Sequence, residues 1–344
     1  MRWQDLGYQG RNFTGTTPTR PAISAYTGRP AKDPVRVYVS SQLPRASEGG
    51  TDENAPFRAQ ARLRTGTGAH RGVHPRGAGR RGHHGQRLDR LERRPGAGAP
   101  ARRDTAVVAV QYSYLPSWVS FLVDKEKAGK ATRALTDAVR ARLDTLPAGD
   151  RPKLVVTGES LGAYAVETSY GSVEALLAGT DGAVLLGTPH FSPVARQVRE
   201  GRDAGSPVRR PQYEGGRHVR VAQLPAVDLR RPAAGPWARP RVVYLQNASD
   251  PIVRWSTDLL FERPEWMDEP LGPDITPEIN WFPVVAFWQT TVEMAVSYGV
   301  QAPHGHRYGA ASVDAWAAVV PPQGWAEQDT RRLRAYIASR RAPY

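Results

Sequence analysis

Between residues 105 and 246 apolar strands and amphipathic helices take turns along the chain, and this alternation restricts the fold more than any other feature of the sequence. "TAVVAVQYS" (105–113) is a Val- and Ala-rich run with strand character, and residues 124–146 carry Ala128, Ala131, Leu135, Val139, Leu143 and Leu146 at three- and four-residue steps, the spacing of one helix face. "KLVVTG" (153–158) is the next strand and "AYAVETSYGSVEALLAG" (163–179) the next helix. The strands "GAVLLGT" (182–188) and "RVVYLQ" (241–246) follow, separated by a polar stretch rich in proline and glycine (192–240). "VRVYVS" (35–40) supplies another strand upstream. Strands that are apolar throughout must be covered on both faces, and strand–helix–strand units cross over with right-handed connections. An α/β fold with a mostly parallel, twisted sheet flanked by helices is therefore expected.

A chain of 344 residues with 40% hydrophobic content can fill a sizeable core. No run of eighteen apolar residues occurs, and "MRWQDLGYQGRNF" lacks the charged-then-apolar pattern of a secretory signal, so the chain reads as soluble as written. Residues 281–300, the most apolar long stretch, contain Gln289 and Glu293 and are expected to form a buried helix. With no cysteine, disulfides, thiolate metal sites and a cysteine nucleophile are excluded, and the compartment, cytoplasmic or membrane-associated, stays open. The net charge of +14 is concentrated: residues 57–103 hold thirteen arginines against Asp89 and Glu92, a local charge of 13 − 2 = +11. This stretch has no lysine and no helical or strand periodicity, and Phe57 at its edge is its one aromatic, so a nucleic-acid arm is not expected; disorder is. Its Arg, Gly, Ala, Pro and His content also fits a wrong-frame translation of a GC-rich gene. Plausible codons for "HHGQRLDRLE" (83–92), reread one base later, give Thr-Thr-Gly-Asn-Gly-Trp-Ile-Asp-Trp. The organisation expected is an N-terminal part (1–45), a low-complexity, Arg-rich segment (46–103) that a frameshift would account for, and an α/β core (104–344).

Chemistry enters at "KLVVTGESLGAYAVE" (153–167). Gly158, Ser160 and Gly162 spell G-x-S-x-G where a strand turns sharply into a helix. Such a turn lifts the serine hydroxyl from the carboxyl end of the sheet, with small residues on either side because larger ones would collide. A serine needs a base to take its proton and an acid to orient that base. In this kind of fold the acid and then the histidine follow the serine along the chain. Asp250, four residues past "RVVYLQ", fits the acid better than Asp258. Of the histidines outside the basic stretch, only His304 and His306, in "QAPHGHRYG", follow it; His306 is favoured as the base and His304 is the alternative. A His-x-His metal site would need further ligands that the neighbourhood does not offer, so neither metal nor cofactor is expected.

These features resemble the α/β-hydrolases, and more narrowly an actinobacterial α/β-hydrolase family whose catalytic domain is often preceded by a membrane-spanning region. "GRNFTGTTPT", "RPKLVVTGESLGAY", "RVVYLQNASDPIVRWSTDLLFERPEW", "INWFPVVAFWQ", "HGHRYG" and "VDAWAAVVPPQGW" carry the resemblance, over residues 10–45 and 104–337. It implies Ser160, Asp250 and His306 as a triad that cleaves an ester or similar small-molecule acyl substrate, hydrophobic in character, and a membrane association through a region absent from this chain. Leu161, the residue after the serine, would give one oxyanion N–H; the other would come from a loop within residues 46–103, which depart from the family. "LGTPHFSP" resembles the loop that lipases and esterases set beside the nucleophile, with His190 as a pocket wall rather than a base. Aromatics in "YSYLPSWVSF" and "WFPVVAFWQ" would line an apolar pocket or belong to the core. The alternative is a catalytically impaired hydrolase-fold protein that acts as a binding module.

Overall fold

The computed structural model describes residues 36–38, 107–109, 125–230, 236–322 and 324–339. Its centre is a six-stranded sheet built from β1 (Arg36–Tyr38), β2 (Val107–Val108), β3 (Val155–Glu159), β4 (Gly182–Leu186), β5 (Val219–Ala222) and β6 (Arg241–Leu245). The order across the sheet is β2-β1-β3-β4-β6-β5, and every neighbouring pair is parallel. The expected segment 46–103 lies outside the described residues.

Register levels the strand ends that matter. Glu159 pairs with Leu186 and Leu186 with Leu245, so β3, β4 and β6 stop at the same height. Beyond them the ladder continues for one step more: the Ser160 N–H donates to Leu186 O and the Gly187 N–H to Leu245 O, both at 2.9 Å. Ser160 and Gly187 thus leave the sheet side by side.

The apolar runs of the strands are explained by two cores, one on each face. Val156, Ala183, Leu185, Val242 and Tyr244 face α1 (Lys125–Asp144), α2 (Leu161–Tyr170) and α3 (Val173–Gly179). The alternate residues Val155, Val184, Leu186, Val243 and Leu245 pack on the other face with Ala315, Trp316 and Val319. Burying each such Val or Leu side chain stabilises the fold by roughly 1.5–3 kcal/mol. In α1 the expected stripe is present: Ala128, Leu135 and Val139 are buried and Ala131 and Leu143 partly so. The helix ends before Leu146.

Three expectations are corrected. The single helix over 163–179 is two: Gly171 ends α2 in the left-handed region (φ 83°), and Ser172 begins α3, its hydroxyl accepting the Ala175 N–H at 3.2 Å. The polar stretch 192–240 contains α4 (Pro193–Glu200), the edge strand β5 and the one-turn α5 (Pro225–Asp228). A four-residue strand with Arg220 in it offers too little apolar periodicity to be read ahead of time. Finally, after the one-turn α6 (Pro251–Arg254), the apolar stretch near 281–300 does form a helix, α7 (Val285–Val296), but only Met294 in it is buried. Phe282, Val285, Trp288 and Val292 are each more than half exposed. Of the aromatics in "WFPVVAFWQ", Phe282 and Trp288 are exposed while Trp281 and Phe287 are half-buried, Phe287 against Trp255 at the margin of the core, and those of "YSYLPSWVSF" lie outside the described residues. No helix among the described residues is long and apolar enough to cross a membrane. Helices α8 (Ser312–Val319) and α9 (Glu327–Ala338) complete the order.

Candidate active site

Ser160 stands between the last residue of β3 and the first of α2 with φ 57° and ψ −124°, a backbone conformation that non-glycine residues rarely adopt. Such strain costs on the order of 1–3 kcal/mol and persists only where the surroundings impose it. Here they do. The Ser160 N–H is tied to β4, and its carbonyl accepts the N–H groups of Ala163 and Tyr164 at 2.9 and 3.1 Å. The tightness of the turn accounts for its first glycine: a Cβ on Gly158 would lie 2.3 Å from the Gly162 carbonyl and 2.4 Å from Ala163 N. Leu161 and Gly162 occupy the first turn of α2, where backbone N–H groups lack intrahelical acceptors and the positive end of the helix dipole is closest.

Asp250 follows β6 and caps α6, its Oδ1 accepting the Ile252 N–H at 2.9 Å. Its Oδ2 meets His306 Nδ1 at 2.6 Å, and neither side chain has any exposed surface. Because a carboxylate only accepts, this bond places the imidazole proton on Nδ1 and leaves the Nε2 lone pair free. His306 Nε2 is buried without a hydrogen-bond partner, so the structure contains no bond between it and Ser160.

The histidine's loop is fastened on several sides. Asn247 Nδ2 donates to the carbonyls of Gly305 and Arg307 at 2.9 and 3.0 Å, and the Gly305 N–H donates to Ser249 Oγ at 2.9 Å. The His306 N–H reaches Ser297 O at 3.2 Å. The imidazole is held edge-on by Tyr298 and Tyr308, with ring centroids at 4.9 and 5.8 Å. The Tyr308 hydroxyl donates to Asp250 Oδ2. Gly187, with φ 54°, fits beneath the ring because it has no side chain: a Cβ there would lie 2.2 Å from His306 Cε1 and 2.9 Å from Asp250 Oδ2.

The electrostatics of the pair oppose one another. Burial pulls the imidazole pKa down, but the Asp250 charge and hydrogen bond, with a contribution from Glu159, outweigh it and the net shift is upward from 6.5. Glu159 itself is raised, by burial first and also by Asp250, against the pull of His306 and Arg307. Burial, then Asp250, lifts the Tyr308 phenol well above its usual range, so it stays a donor.

Among the residues expected from sequence, Asp250 and His306 are brought into direct contact, and Ser160, Leu161, Gly158 and Gly162 form one tight turn beside them. His304 is elsewhere: its side chain is 56% exposed and its Nδ1 lies 3.6 Å from Asp274 Oδ2. Asp258 is exposed and accepts the Ser256 hydroxyl at 2.6 Å. The loop expected to give a second oxyanion N–H lies outside the described residues. Four residues of this arrangement were not anticipated. Tyr308 and Asn247 could have been suspected from standing two residues after His306 and three before Asp250, whereas Gly187 and Glu159 carry no signal beyond adjacency to a strand end. Among the described residues no group of three or more His, Asp or Glu is arranged to hold a metal ion.

A cavity of about 330 Å³ opens on the α4 side of the same strand ends, lined in part by Thr188, His190, Val198, Tyr244, Arg254 and Leu259. Neither Ser160 nor His306 lines it. His190 is a wall, as expected, and burial together with the charges of Arg199 and Arg254 lowers its pKa to about 4.

A parallel sheet covered on both faces, with a strained serine at a strand-to-helix turn and a buried carboxylate–imidazole pair at the neighbouring strand end, defines an α/β-hydrolase fold. The family model described as the alpha/beta-hydrolase family matches residues 100–333, and the chain belongs to that family. No match is found among curated proteins or among solved structures.

Proposed function

We propose that this chain is a serine hydrolase that cleaves an ester or similar acyl bond by two-step acyl transfer. Ser160 attacks the carbonyl carbon, and His306 Nε2 takes the hydroxyl proton and returns it to the leaving group. Asp250 holds the imidazole by Nδ1 and offsets its positive charge, and the Leu161 N–H donates to the developing oxyanion. Water, deprotonated by the same imidazole, then attacks the acyl-enzyme and restores Ser160. The observation that carries this proposal is the fully buried Asp250–His306 bond at 2.6 Å, which leaves a partnerless Nε2 in a site shared with Glu159, the residue preceding Ser160.

Such a lone pair, buried and unspent, suits a group kept for proton transfer. A fluorophosphonate probe tests the proposal. Covalent labelling of the full chain that vanishes in Ser160→Ala is the expected result, and folded protein that takes no label would leave a binding module built on a hydrolase scaffold.

A further inference from the structure

We propose that the cavity beside the strand ends is a subsite for an oxyanion group, a carboxylate or a phosphate, carried by the substrate of the proposed hydrolase. This rests on the reading of Ser160 as the nucleophile.

The carboxylates bordering the cavity, Asp258, Glu262 and Glu265, are all exposed and so form its rim. Deeper in, two guanidinium groups lie beyond ion-pair distance of the described acids, although Asp250 and Asp274 act on Arg254, and Glu200 and Glu167 on Arg199, at longer range. Arg254, on α6, spends Nε on the Ala248 carbonyl at 3.1 Å and lies over the Trp266 ring at 5.4 Å, and its Nη2 is buried without a hydrogen-bond partner. Arg199, on α4, uses Nη1 for the His190 carbonyl at 3.2 Å. Among the described residues neither arginine forms an ion pair. A buried cation with an unmade hydrogen bond is destabilising unless something completes it, and the planar guanidinium fork matches two oxygens of a carboxylate or phosphate.

A second buried donor points the same way. The Thr188 hydroxyl belongs to a residue only 1% exposed, lines the cavity and has no partner. Burial, together with the two arginines, holds the His190 imidazole neutral, and its one N–H is directed to the Val253 carbonyl, so it adds no charge of its own to the cavity. Val198, Val253 and Leu259 complete the wall and are apolar, which strengthens any charge pairing made there. A space of about 330 Å³ takes one small ligand.

The same two strand ends serve the cavity and the buried pair. Thr188 is the residue after Gly187, whose backbone underlies the imidazole, and Arg254 stands one helical turn past Asp250. A molecule anchored by its anion against Arg254 and Arg199 would be an ester with an apolar spacer and a charged terminus.

Two measurements on the full chain test this. The first is calorimetric titration of the Ser160→Ala protein with glutarate and with inorganic phosphate. At least one should bind, and Arg254→Gln or Arg199→Gln added to that background should weaken it about tenfold or more, whereas Arg151→Ala, which removes an exposed and distant charge, should not. Tighter binding of glutarate identifies a carboxylate terminus, and tighter binding of phosphate a phosphate. The second is kcat/KM for 4-nitrophenyl hydrogen glutarate against the uncharged 4-nitrophenyl valerate. The ratio should favour the charged ester in the native chain and fall about tenfold in Arg254→Gln, with Arg254→Lys intermediate. Absence of binding by both anions, or a ratio indifferent to Arg254 and Arg199, overturns the proposal. Binding that depends on the arginines in a protein that hydrolyses neither ester would instead count against Ser160 as a nucleophile and leave the anion site standing.

Discussion

Tyr308 and His306 share one oxygen of Asp250: the phenol hydroxyl and imidazole Nδ1 both meet Oδ2, the imidazole at 2.6 Å. The phenol therefore competes for the charge that supports the imidazolium. In Tyr308→Phe the oriented carboxylate loses one of its two donors at that oxygen, and kcat/KM is expected to fall about tenfold, the value of one hydrogen bond to a charged group. With less of its charge spent elsewhere, Asp250 should hold the proton on His306 more firmly, and the acid limb of the pH–rate profile should move up. A mere packing defect would lower the rate without moving that limb.

That limb has a predicted position. The proposed proton transfer needs the neutral imidazole, and the pKa of His306 is raised above 6.5 by Asp250 and Glu159 against its burial. Activity should accordingly climb with pH through a midpoint above 6.5, and Asp250→Asn should shift the midpoint downward, because burial then acts with less opposition. The same variant should lose about a thousandfold or more in kcat, having lost its hold on the tautomer. Steady-state kinetics from pH 5 to 9 checks both.

Two glycines with positive φ separate backbone strain from collision. Gly171, at φ 83°, has nothing within 4 Å of a prospective Cβ, so Gly171→Ala should cost only about 1 kcal/mol of stability. Gly187, at φ 54°, would drive a methyl to 2.2 Å from His306 Cε1. Gly187→Ala is expected to cost about 3 kcal/mol and to reduce kcat more than a hundredfold by displacing the imidazole. Urea melts and hydrolysis assays on the pair make the comparison.

Glu167 offers a pH dependence of stability that is independent of the site. This α2 carboxyl is fully buried and accepts the Val194 and Ala195 N–H groups at the start of α4, at 2.8 and 2.9 Å. Burial raises its pKa from 4.5 to about 7, even though those N–H groups pull it down. A carboxyl whose pKa is higher in the folded state binds its proton more tightly there, so its contribution is complete below 4.5 and is lost as pH rises through about 7. The loss is on the order of 3 kcal/mol, taking each unit of pKa as about 1.4 kcal/mol. Glu167→Gln, which keeps the acceptor oxygen, should flatten the fall in unfolding free energy between pH 4.5 and 8 relative to the native chain.

How much of this was legible in the sequence varied with the physics behind each part. The long apolar runs of β3, β4 and β6 announced a parallel sheet because both faces of each strand are buried, and the serine turn followed from glycines that sterics demand. Order along the chain pointed to Asp250 and to the 304–306 loop, with His306 favoured over His304, and three dimensions then separated the two: His306 meets Asp250, whereas His304 is exposed near Asp274. Gly171 was the visible break in the second helix, but its weight depended on an αL cap that composition does not reveal. β5 was hidden because four residues at a sheet edge, one of them Arg220, have no periodicity to read. The apolar segment of α7 misled in the opposite sense, since hydrophobicity alone does not say whether a helix face meets the core.

The strand order has an architectural consequence. β4 and β6 are neighbours in the sheet, yet the chain travels from residue 187 to residue 240 between them, sending β5 out to the edge before returning. That excursion supplies Val198, Arg199, Val208 and Val221 to the cavity, while the carboxylate–imidazole pair sits at the flush carboxyl ends of β4 and β6, the first of which the excursion leaves before it re-enters the sheet at the opposite, amino-terminal edge. Insertions or exchanges in the detour can reshape the cavity while the buried pair keeps its footing, so on the proposed reading selectivity and chemistry are free to diverge on separate stretches of the same chain.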